Sequence, residues 1–244
     1  MKQTLLTVLL NRPLTRAVYE MKLTGDLSAF SRPGQFLNIR LEGFYLRRPI
    51  SVCDITGNEL TILYKIVGHG TEAMSGYLPG VKLDVLTGLG NGYDTAKSGD
   101  RPLLIGGGVG IPPLYGLAKA LLAEGKQVTA LLGFNTADEI FYENEFRALG
   151  ADVRIATADG SAGEKGFVTD ILPEAYSYFY TCGPEPMLKA VYRASRTSGQ
   201  FSFEERMGCG FGACMGCSCK TVTGYKRICR EGPVLEKEEI LWAE

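Results

Sequence analysis

The sequence predicts an α+β chain in three parts. An antiparallel β-barrel is expected over residues 1–97, an α/β domain with a parallel sheet over 98–200, and a cysteine-bearing segment over 201–244. Three observations support this division. Short alternating apolar segments fill the first part, strand-like and helix-like segments alternate in the second, and five of the seven cysteines fall in the third.

The barrel is predicted from alternating segments separated by turns such as Arg32-Pro33-Gly34. These segments are Leu5–Leu10, Ala17–Leu23, Phe36–Leu41, Leu60–Ile66 and Lys82–Leu86. Five or six strands at this spacing favour a small antiparallel barrel. The apolar N-terminus lacks a small-residue cleavage site, so we interpret it as the first strand and expect a cytoplasmic protein.

Strands and helices alternate from Pro102 onward, which predicts a parallel, doubly wound sheet. The predicted strands are Leu103–Ile105, Val128–Gly133, Val153–Thr157 and Tyr178–Thr181. The predicted helices are Pro113–Glu124, Glu139–Leu149, one beginning in Gly166–Leu172, and Glu185–Ser198.

The composition excludes several classes of function. The net charge is −1 and no Lys/Arg run occurs, which argues against nucleic acid or an anionic membrane surface as a partner. No apolar stretch approaches the roughly 20 residues that span a bilayer. With His69 as the one histidine, imidazole-based catalysis is not expected.

Two short strings are candidate nucleotide-binding elements. Gly106-Gly107-Gly108-Val109-Gly110 lies between an apolar strand and a helix, where glycines let the backbone approach a pyrophosphate at a helix N-terminus. The string departs from G-x-G-x-x-G, and a tight strand–helix turn also needs glycine. In Arg47–Ser51, an arginine followed by a serine suits a phosphate and a polar ring, although an ordinary basic surface pair has the same composition.

The cysteines of the last segment predict a metal centre. Cys209, Cys214 and Cys217 have the spacing Cys-x₄-Cys-x₂-Cys, and Cys229 follows, which is the plant-ferredoxin arrangement for a 2Fe-2S cluster. Four thiolates also satisfy tetrahedral zinc, but zinc sites usually pair their ligands in two knuckles. Cys219 is a rival ligand outside the spacing.

The two remaining cysteines lie outside this segment. We expect Cys53 and Cys182 to be small buried hydrophobic residues, with Cys182 alternatively a wall of an active site. Disulfides are not expected, because the cysteines are neither dense nor even in number.

In combination, these strings resemble the ferredoxin–NADP⁺ reductase superfamily. The resemblance rests on the Arg-Pro-x-Ser string, the glycine turn followed by Ile-Pro-Pro, and Thr181-Cys-Gly-Pro-Glu-Pro-Met187. With the cysteine spacing added, the whole chain is similar to the electron-transfer subunits of class 1B dihydroorotate dehydrogenases. Ile50 stands where the superfamily's Arg-x-Tyr-Ser motif has its tyrosine.

The resemblance implies a set of cofactor-binding residues. FAD would be lined by Arg48, Pro49, Ile50 and Ser51, with Lys65, Ile66 and Val67 along its ribityl-phosphate arm and Gly70 and Thr71 over its phosphates. The nicotinamide nucleotide would meet Gly106, Gly107, Gly108 and Gly110, with Cys182 and Gly183 bordering its ring. Cys209, Cys214, Cys217 and Cys229 would hold 2Fe-2S.

The implied function is electron transfer in pyrimidine biosynthesis. Electrons would pass from a partner FMN-containing dihydroorotate dehydrogenase subunit, in an α₂β₂ assembly, through the cluster and FAD to NAD⁺. No group for dihydroorotate chemistry is found on this chain. NAD is expected over NADP because Gly133–Asp138 contains no Lys or Arg for a 2′-phosphate, while Asp138 is suited to a ribose hydroxyl or to a helix cap.

Two other functions compete with this one. The chain would also suit the FAD/2Fe-2S subunit of another NAD(P)H-dependent complex, of the ferredoxin–NADP⁺ reductase or sulfide dehydrogenase type. A zinc-binding module without catalytic activity is the second alternative. Phe211 and Met215, between the cysteines, are expected either to meet a partner or to shield the cluster.

Overall fold

The computed structural model describes residues 1–242 and begins with a closed six-stranded barrel. Its strands are β1 (Lys2–Pro13), β2 (Val18–Thr24), β3 (Phe36–Ile39), β4 (Arg48–Thr56), β5 (Glu59–Lys65) and β6 (Lys82–Leu89), in the spatial order β1-β2-β5-β4-β3-β6. All neighbouring strands are antiparallel. The predicted barrel is therefore confirmed, with β4 as the sixth strand.

The barrel is closed around an apolar interior. Leu6, Met21, Leu37 and Val85 are completely buried, as expected for one face of alternating strands. One short helix, α1 (His69–Ser75), follows β5 and was not predicted. It begins at a Gly-rich turn in which the hydroxyl of Thr71 accepts from the Val67 N–H at 2.9 Å.

The second part of the chain supplies six strands of a seven-stranded sheet. Its elements include β7 (Pro102–Gly107), α2 (Pro112–Ala123), β8 (Thr129–Phe134), α3 (Glu143–Leu149), β9 (Asp152–Thr157), β10 (Glu164–Lys165), β11 (Tyr178–Cys182), α4 (Glu185–Ala194) and β12 (Gly199–Ser202). The order β10-β9-β8-β7-β11-β12 places β7 and β11 side by side, although three strands separate them in sequence. The sheet therefore reverses its winding direction between β7 and β11.

Three predicted helices differ from the structure. The second begins at Glu143 and not Glu139, because Tyr142 adopts a left-handed backbone (φ 64°) that interrupts the helix. No helix begins in 166–172, where Gly166 (φ 127°) leads into turns. The last helix ends at Ala194, and the chain returns to the sheet as β12.

The cysteine segment lies between the barrel and the sheet. It contains the hairpin β13 (Ser218–Thr221) and β14 (Gly224–Arg227), and then β15 (Val234–Glu236), which pairs antiparallel with β12. Cys217 and Cys229 are buried in one apolar cluster with Phe36 and Leu86 of the barrel. The segment is thus held by both larger parts of the fold.

The barrel and the sheet share a tightly packed interface. Helix α2 lies against β4, and a Cβ added at Gly116 would stand only 2.8 Å from the carbonyl oxygen of Cys53. The Tyr142 hydroxyl donates to the buried carboxylate of Glu20 at 3.0 Å. Within residues 1–242, no helix has the length and apolar character needed to cross a membrane.

Candidate functional site

A cleft of about 730 Å³ opens along the carboxyl ends of the parallel strands. Ligand sites in doubly wound sheets are found at this edge, where the winding direction reverses. The lining residues come from the ends of four strands, from two loops, and from the barrel through Lys65. They include Gly107–Gly110, Gly133–Asn135, Glu139, Ala158, Gly166–Thr169, Gly183, Pro184, Met187 and Glu204.

The glycine turn after β7 forms the floor of the cleft. Gly107, Gly108 and Gly110 line it, as the sequence predicts for a nucleotide-binding turn. A Cβ at Gly110 would stand 2.3 Å from the carbonyl oxygen of Cys182, so only glycine permits this approach of β7 to β11. Gly106 has a packing role, since its Cβ would stand 2.7 Å from Ile111 at the start of α2.

Residues that follow the carboxyl ends of β11 and β12 also line the cleft. Gly183 lines it, while the Cys182 side chain is only 2% exposed and its pKa is raised by burial. Glu204 also lines the cleft. Although Glu204 is exposed to the cleft, the surrounding protein desolvates its carboxyl group and raises the pKa above its ordinary value.

The opposite end of the cleft carries a different carboxylate from the one predicted. Glu139 lines the cleft and accepts from the Asn135 side-chain amide at 2.8 Å. The Asp138 carboxylate instead accepts from the Thr136 hydroxyl and is not among the lining residues. The turn that follows β8 therefore directs Glu139 toward the cleft.

The structure brings together two predicted FAD-binding elements of the barrel, Arg48 of β4 and Gly70 of α1. A Cβ at Gly70 would stand 2.4 Å from the Arg48 guanidinium, which also lies 4.9 Å from the ring centre of Phe44. Arg48 donates to the Leu46 carbonyl. The arginine and the first turn of α1 thus share one surface at the end of the barrel.

The remaining predicted FAD residues lie on both sides of this surface. Pro49 and Ser51 follow Arg48 along β4, while Ile50 packs against the barrel core. Val67 is 79% exposed, and the Ile66 N–H donates to the Ala17 carbonyl at 2.9 Å. Lys65, at the end of β5, lines the cleft. The barrel surface that carries the predicted FAD residues (the flavin face) therefore adjoins the cleft.

The four predicted cluster ligands lie in one segment and are free thiols. They approach in two pairs. The Cys209 N–H donates to the Cys214 sulfur at 3.5 Å, and the Cys229 N–H donates to the Cys217 sulfur at 3.5 Å. Among residues 1–242, no three His, Cys, Asp or Glu side chains form a metal-binding group.

The chemistry of this segment fits thiolate ligands. Burial raises the pKa of the Cys209 thiol, but hydrogen bonds from the backbone of Phe211, Cys214 and Ala213 outweigh it and lower the pKa to about 6. Gly210 adopts a positive φ of 80°, which glycine accepts without steric cost, and the Ala213 N–H donates to the Cys209 sulfur at 3.3 Å. Thiolates that accept backbone N–H groups are the ligands that iron–sulfur clusters use.

The loop over residues 209–217 (the cluster loop) contacts barrel strand β3. The Asn38 side-chain amide donates to the Cys209 carbonyl at 3.4 Å, and a Cβ at Gly210 would stand 2.3 Å from that nitrogen. Asn38 pairs with Pro49 and Phe36 pairs with Ser51 across β3 and β4. The cluster segment and the predicted flavin strand are therefore separated by a single strand.

The residues 204–241 match a family model described as the iron-sulfur cluster binding domain of dihydroorotate dehydrogenase B. Residues 104–193 match the oxidoreductase NAD-binding domain. A relative from Geobacillus sp. (strain WCH70), the electron transfer subunit of dihydroorotate dehydrogenase B (NAD(+)), is 44% identical over 99% of both chains. This chain belongs to that family of electron transfer subunits. Relatives of the same description from Bacillus pumilus (45% identical, 98% of both chains) and Fusobacterium nucleatum (43%, covering 93% and 94%) agree.

Solved structures extend the comparison to the whole fold. The structure of an NADH-dependent reduced ferredoxin-NADP oxidoreductase superposes with a TM-score of 0.88 at 30% identity, covering 98% of this chain and 90% of the other. The flavohemoglobin from Malassezia yamatoensis superposes with a TM-score of 0.66 at 18% identity, over 80% of this chain and 56% of the other. The latter likeness concerns the fold alone.

Family membership confirms the predicted resemblance and the electron-transfer function of the oxidoreductase, and favours neither a zinc module nor another complex. Sequence reasoning missed Glu139, Phe167 and Glu204 in the cleft. The sequence predicts Asp138 as the acidic residue after β8, and the structure places the neighbouring Glu139 in the cleft instead. Phe167 and Glu204 lie in loops, where no alternation or spacing marks a single residue.

Proposed function

We propose that this chain carries electrons between a partner's FMN site and NAD⁺, in pyrimidine biosynthesis, with FAD and a 2Fe-2S cluster as its cofactors. One set of contacts supports this most directly. The cluster loop rests on β3, β3 pairs with β4, and Lys65 of β5, the strand beside β4, lines the cleft. FAD exchanges one or two electrons, so it joins a one-electron cluster to the two-electron acceptor NAD⁺.

The chain's own residues would hold the cofactors as follows. Arg48, with five donors and a fixed position against Gly70, suits the FAD pyrophosphate. Pro49, Ile50, Ser51, Lys65, Ile66, Val67 and Thr71 would complete the FAD site, and Cys209, Cys214, Cys217 and Cys229 would hold the cluster. NAD would bind over Gly107, Gly108 and Gly110, with Gly106 supporting the turn and Gly183 and the backbone of Cys182 at the barrel side.

We further infer that Glu139 selects NAD over NADP. Its carboxylate lines the cleft at the end of β8, where a ribose hydroxyl would donate to it and a 2′-phosphate would be repelled. Replacing Glu139 by Gln should lower the preference for NADH over NADPH by about tenfold or more. Asp138→Asn is the matched control, because the Asp138 carboxylate does not line the cleft. An unchanged ratio of kcat/KM in Glu139→Gln would contradict this assignment.

The partner is inferred to be an FMN-containing dihydroorotate dehydrogenase catalytic subunit, in an α₂β₂ assembly. The term electron transfer subunit in the relatives' names supports a separate catalytic chain. Phe211 (41% exposed) and Met215 (52% exposed) lie in the cluster loop, where exposed apolar side chains suit an interface. A cytoplasmic location is inferred from the free cysteines, which suit a reducing compartment.

Reconstitution with the catalytic subunit tests the proposal. Dihydroorotate-dependent reduction of NAD⁺ is expected only when both chains are present. Phe211→Ala should weaken that coupled activity while NADH oxidation with ferricyanide is retained. Dihydroorotate oxidation by this chain alone would contradict the proposal that a separate catalytic subunit oxidises dihydroorotate.

A further inference from the structure

Arg227 donates a hydrogen bond into the cluster loop from the neighbouring hairpin. It is the last residue of β14, it precedes Cys229 by two residues, and its side chain is 22% exposed. Its Nη1 donates to the Gly212 carbonyl at 2.6 Å, and Gly212 lies between Cys209 and Cys214 in sequence. The contact therefore joins the hairpin to the middle of the cluster loop.

The peptide group that Arg227 contacts also contacts a predicted cluster ligand. The Gly212 carbonyl and the Ala213 N–H belong to one peptide bond and lie in one rigid plane. The Ala213 N–H donates to the Cys209 sulfur at 3.3 Å. Arg227 and the Cys209 sulfur are thus the two ends of a chain of two hydrogen bonds. Because hydrogen bonds in such a chain polarise one another, the arginine strengthens the N–H···S bond.

The guanidinium is held in position by a carboxylate. The Arg227 Nε donates to one oxygen of Glu231 at 2.9 Å, and its Nη2 donates to the other oxygen. The Arg227 backbone N–H also donates to this carboxylate at 2.9 Å. Two parallel bonds fix the plane of the guanidinium, and the negative charge of Glu231 offsets its positive charge. Arg227 therefore offers the loop a donor of fixed direction more than an isolated charge.

Gly212 leaves room for two arginine side chains at this point of the loop. Its φ of 93° is one that glycine adopts without steric cost, and a Cβ there would stand 2.6 Å from the Arg230 Cδ. Arg230 packs on Gly212 through its aliphatic chain, and among residues 1–242 its side chain makes no hydrogen bond. Two cations thus lie beside the same glycine, and Arg227 is the one that bonds its carbonyl.

We propose that Arg227 is a positioning residue that orients the Gly212–Ala213 peptide toward the Cys209 thiolate and thereby raises the reduction potential of the 2Fe-2S cluster. The inference rests on the proposed function, since it takes Cys209 as a cluster ligand. Reduction adds one negative charge to a cluster, and N–H groups that donate to its sulfurs stabilise that charge. A stronger bond to Cys209 therefore favours the reduced form.

The reduction potential is measured on the FAD- and cluster-loaded protein by anaerobic titration with dithionite and mediator dyes, followed by EPR spectroscopy. Arg227→Met removes the donor. At a given solution potential it should lower the ratio of reduced to oxidised cluster by about tenfold, the scale of one hydrogen bond to a charged group. Tenfold corresponds to about 59 mV for one electron. Arg227→Lys keeps a charged donor and should stay within about threefold of the wild-type ratio.

Arg230→Met is the matched control, because it removes a cation beside the same glycine without removing a hydrogen bond to the loop. Its ratio should stay within about threefold of wild type. An unchanged ratio in Arg227→Met, or an equal shift in Arg230→Met, would overturn the positioning role.

Iron content decides the question if Arg227→Met does not hold the cluster. Arg227→Lys and Arg230→Met should then retain the iron of the wild-type protein, and loss of iron from Arg227→Lys as well would overturn the assignment. A wild-type protein that contains no iron and sulfide after anaerobic purification would overturn the proposed function together with this inference.

Discussion

Replacing Gly110 by Ala introduces one methyl group where the sheet reverses its winding direction. The added Cβ would stand 2.3 Å from the carbonyl oxygen of Cys182, 2.5 Å from its carbonyl carbon and 2.5 Å from the Gly183 nitrogen. These are backbone atoms of β11 and its following turn, so no side-chain rotation relieves the overlap. The two chain segments must separate by roughly 1 Å to reach an ordinary carbon contact distance.

Gly110→Ala should lower the free energy of unfolding through both packing and hydrogen bonding. Overpacking a well-packed core typically costs about 1–3 kcal/mol, and weakening one ladder hydrogen bond between β7 and β11 adds about 1 kcal/mol. The total of about 2–4 kcal/mol corresponds to a melting temperature lower by roughly 5 to 15 °C for a chain of this size. Affinity for NADH should fall as well, because Gly110 is part of the cleft floor.

Differential scanning calorimetry of the cofactor-loaded protein, together with NADH titration, measures both effects. Gly76→Ala is the matched control, since its Cβ would meet only the Ala73 carbonyl oxygen at 3.6 Å and its φ of −86° accepts alanine. That variant should melt at or slightly above the wild-type temperature. A Gly110→Ala protein that matches the Gly76→Ala protein in both measurements would contradict the expected overlap with the backbone of β11.

Three further predictions follow from buried polar and sulfur groups. Tyr142→Phe should lower the free energy of unfolding by about 1–3 kcal/mol, seen in the urea midpoint, because the 4%-exposed Glu20 loses a donor. Burial raises the pKa of Glu236, but hydrogen bonds from the side chains of Lys97, Tyr178 and Gln200 outweigh it and hold the pKa below its ordinary value. Glu236→Gln should therefore destabilise the protein at pH 7, and the difference in melting temperature should shrink as the pH falls through the ordinary range of a carboxyl group and below it. Cys217→Ser should abolish the iron–sulfur absorption with FAD retained, whereas Cys219→Ser should keep both chromophores; loss of the cluster from the second variant would contradict the ligand assignment.

The regular parts of the fold were predictable because their periodicity is local. Alternation marks β1, β2, β5 and β6, and the glycine turn after β7 marks the cleft floor. Strand β4 was less visible, because it begins with Arg48-Pro49 and its polar residues obscure the alternation.

The rest depends on contacts between distant segments. Tyr142 adopts a left-handed backbone conformation that shortens α3. Its hydroxyl donates a hydrogen bond to Glu20, which lies 122 residues away in sequence. The sequence predicts Asp138 rather than Glu139 for a similar reason. Only the conformation of the turn after β8 determines which of the two carboxylates reaches the cleft. Phe167 and Glu204 lie in loops, and their place at the cleft depends on how those loops pack against the sheet.

The most direct test of electron transfer through this chain is an anaerobic absorption spectrum of the purified protein during titration with NADH. Flavin bands and a broad iron–sulfur shoulder should both bleach with NADH, and NADPH should be much less effective. A colourless protein containing zinc, or chromophores that NADH leaves unchanged, would contradict electron transfer through this chain.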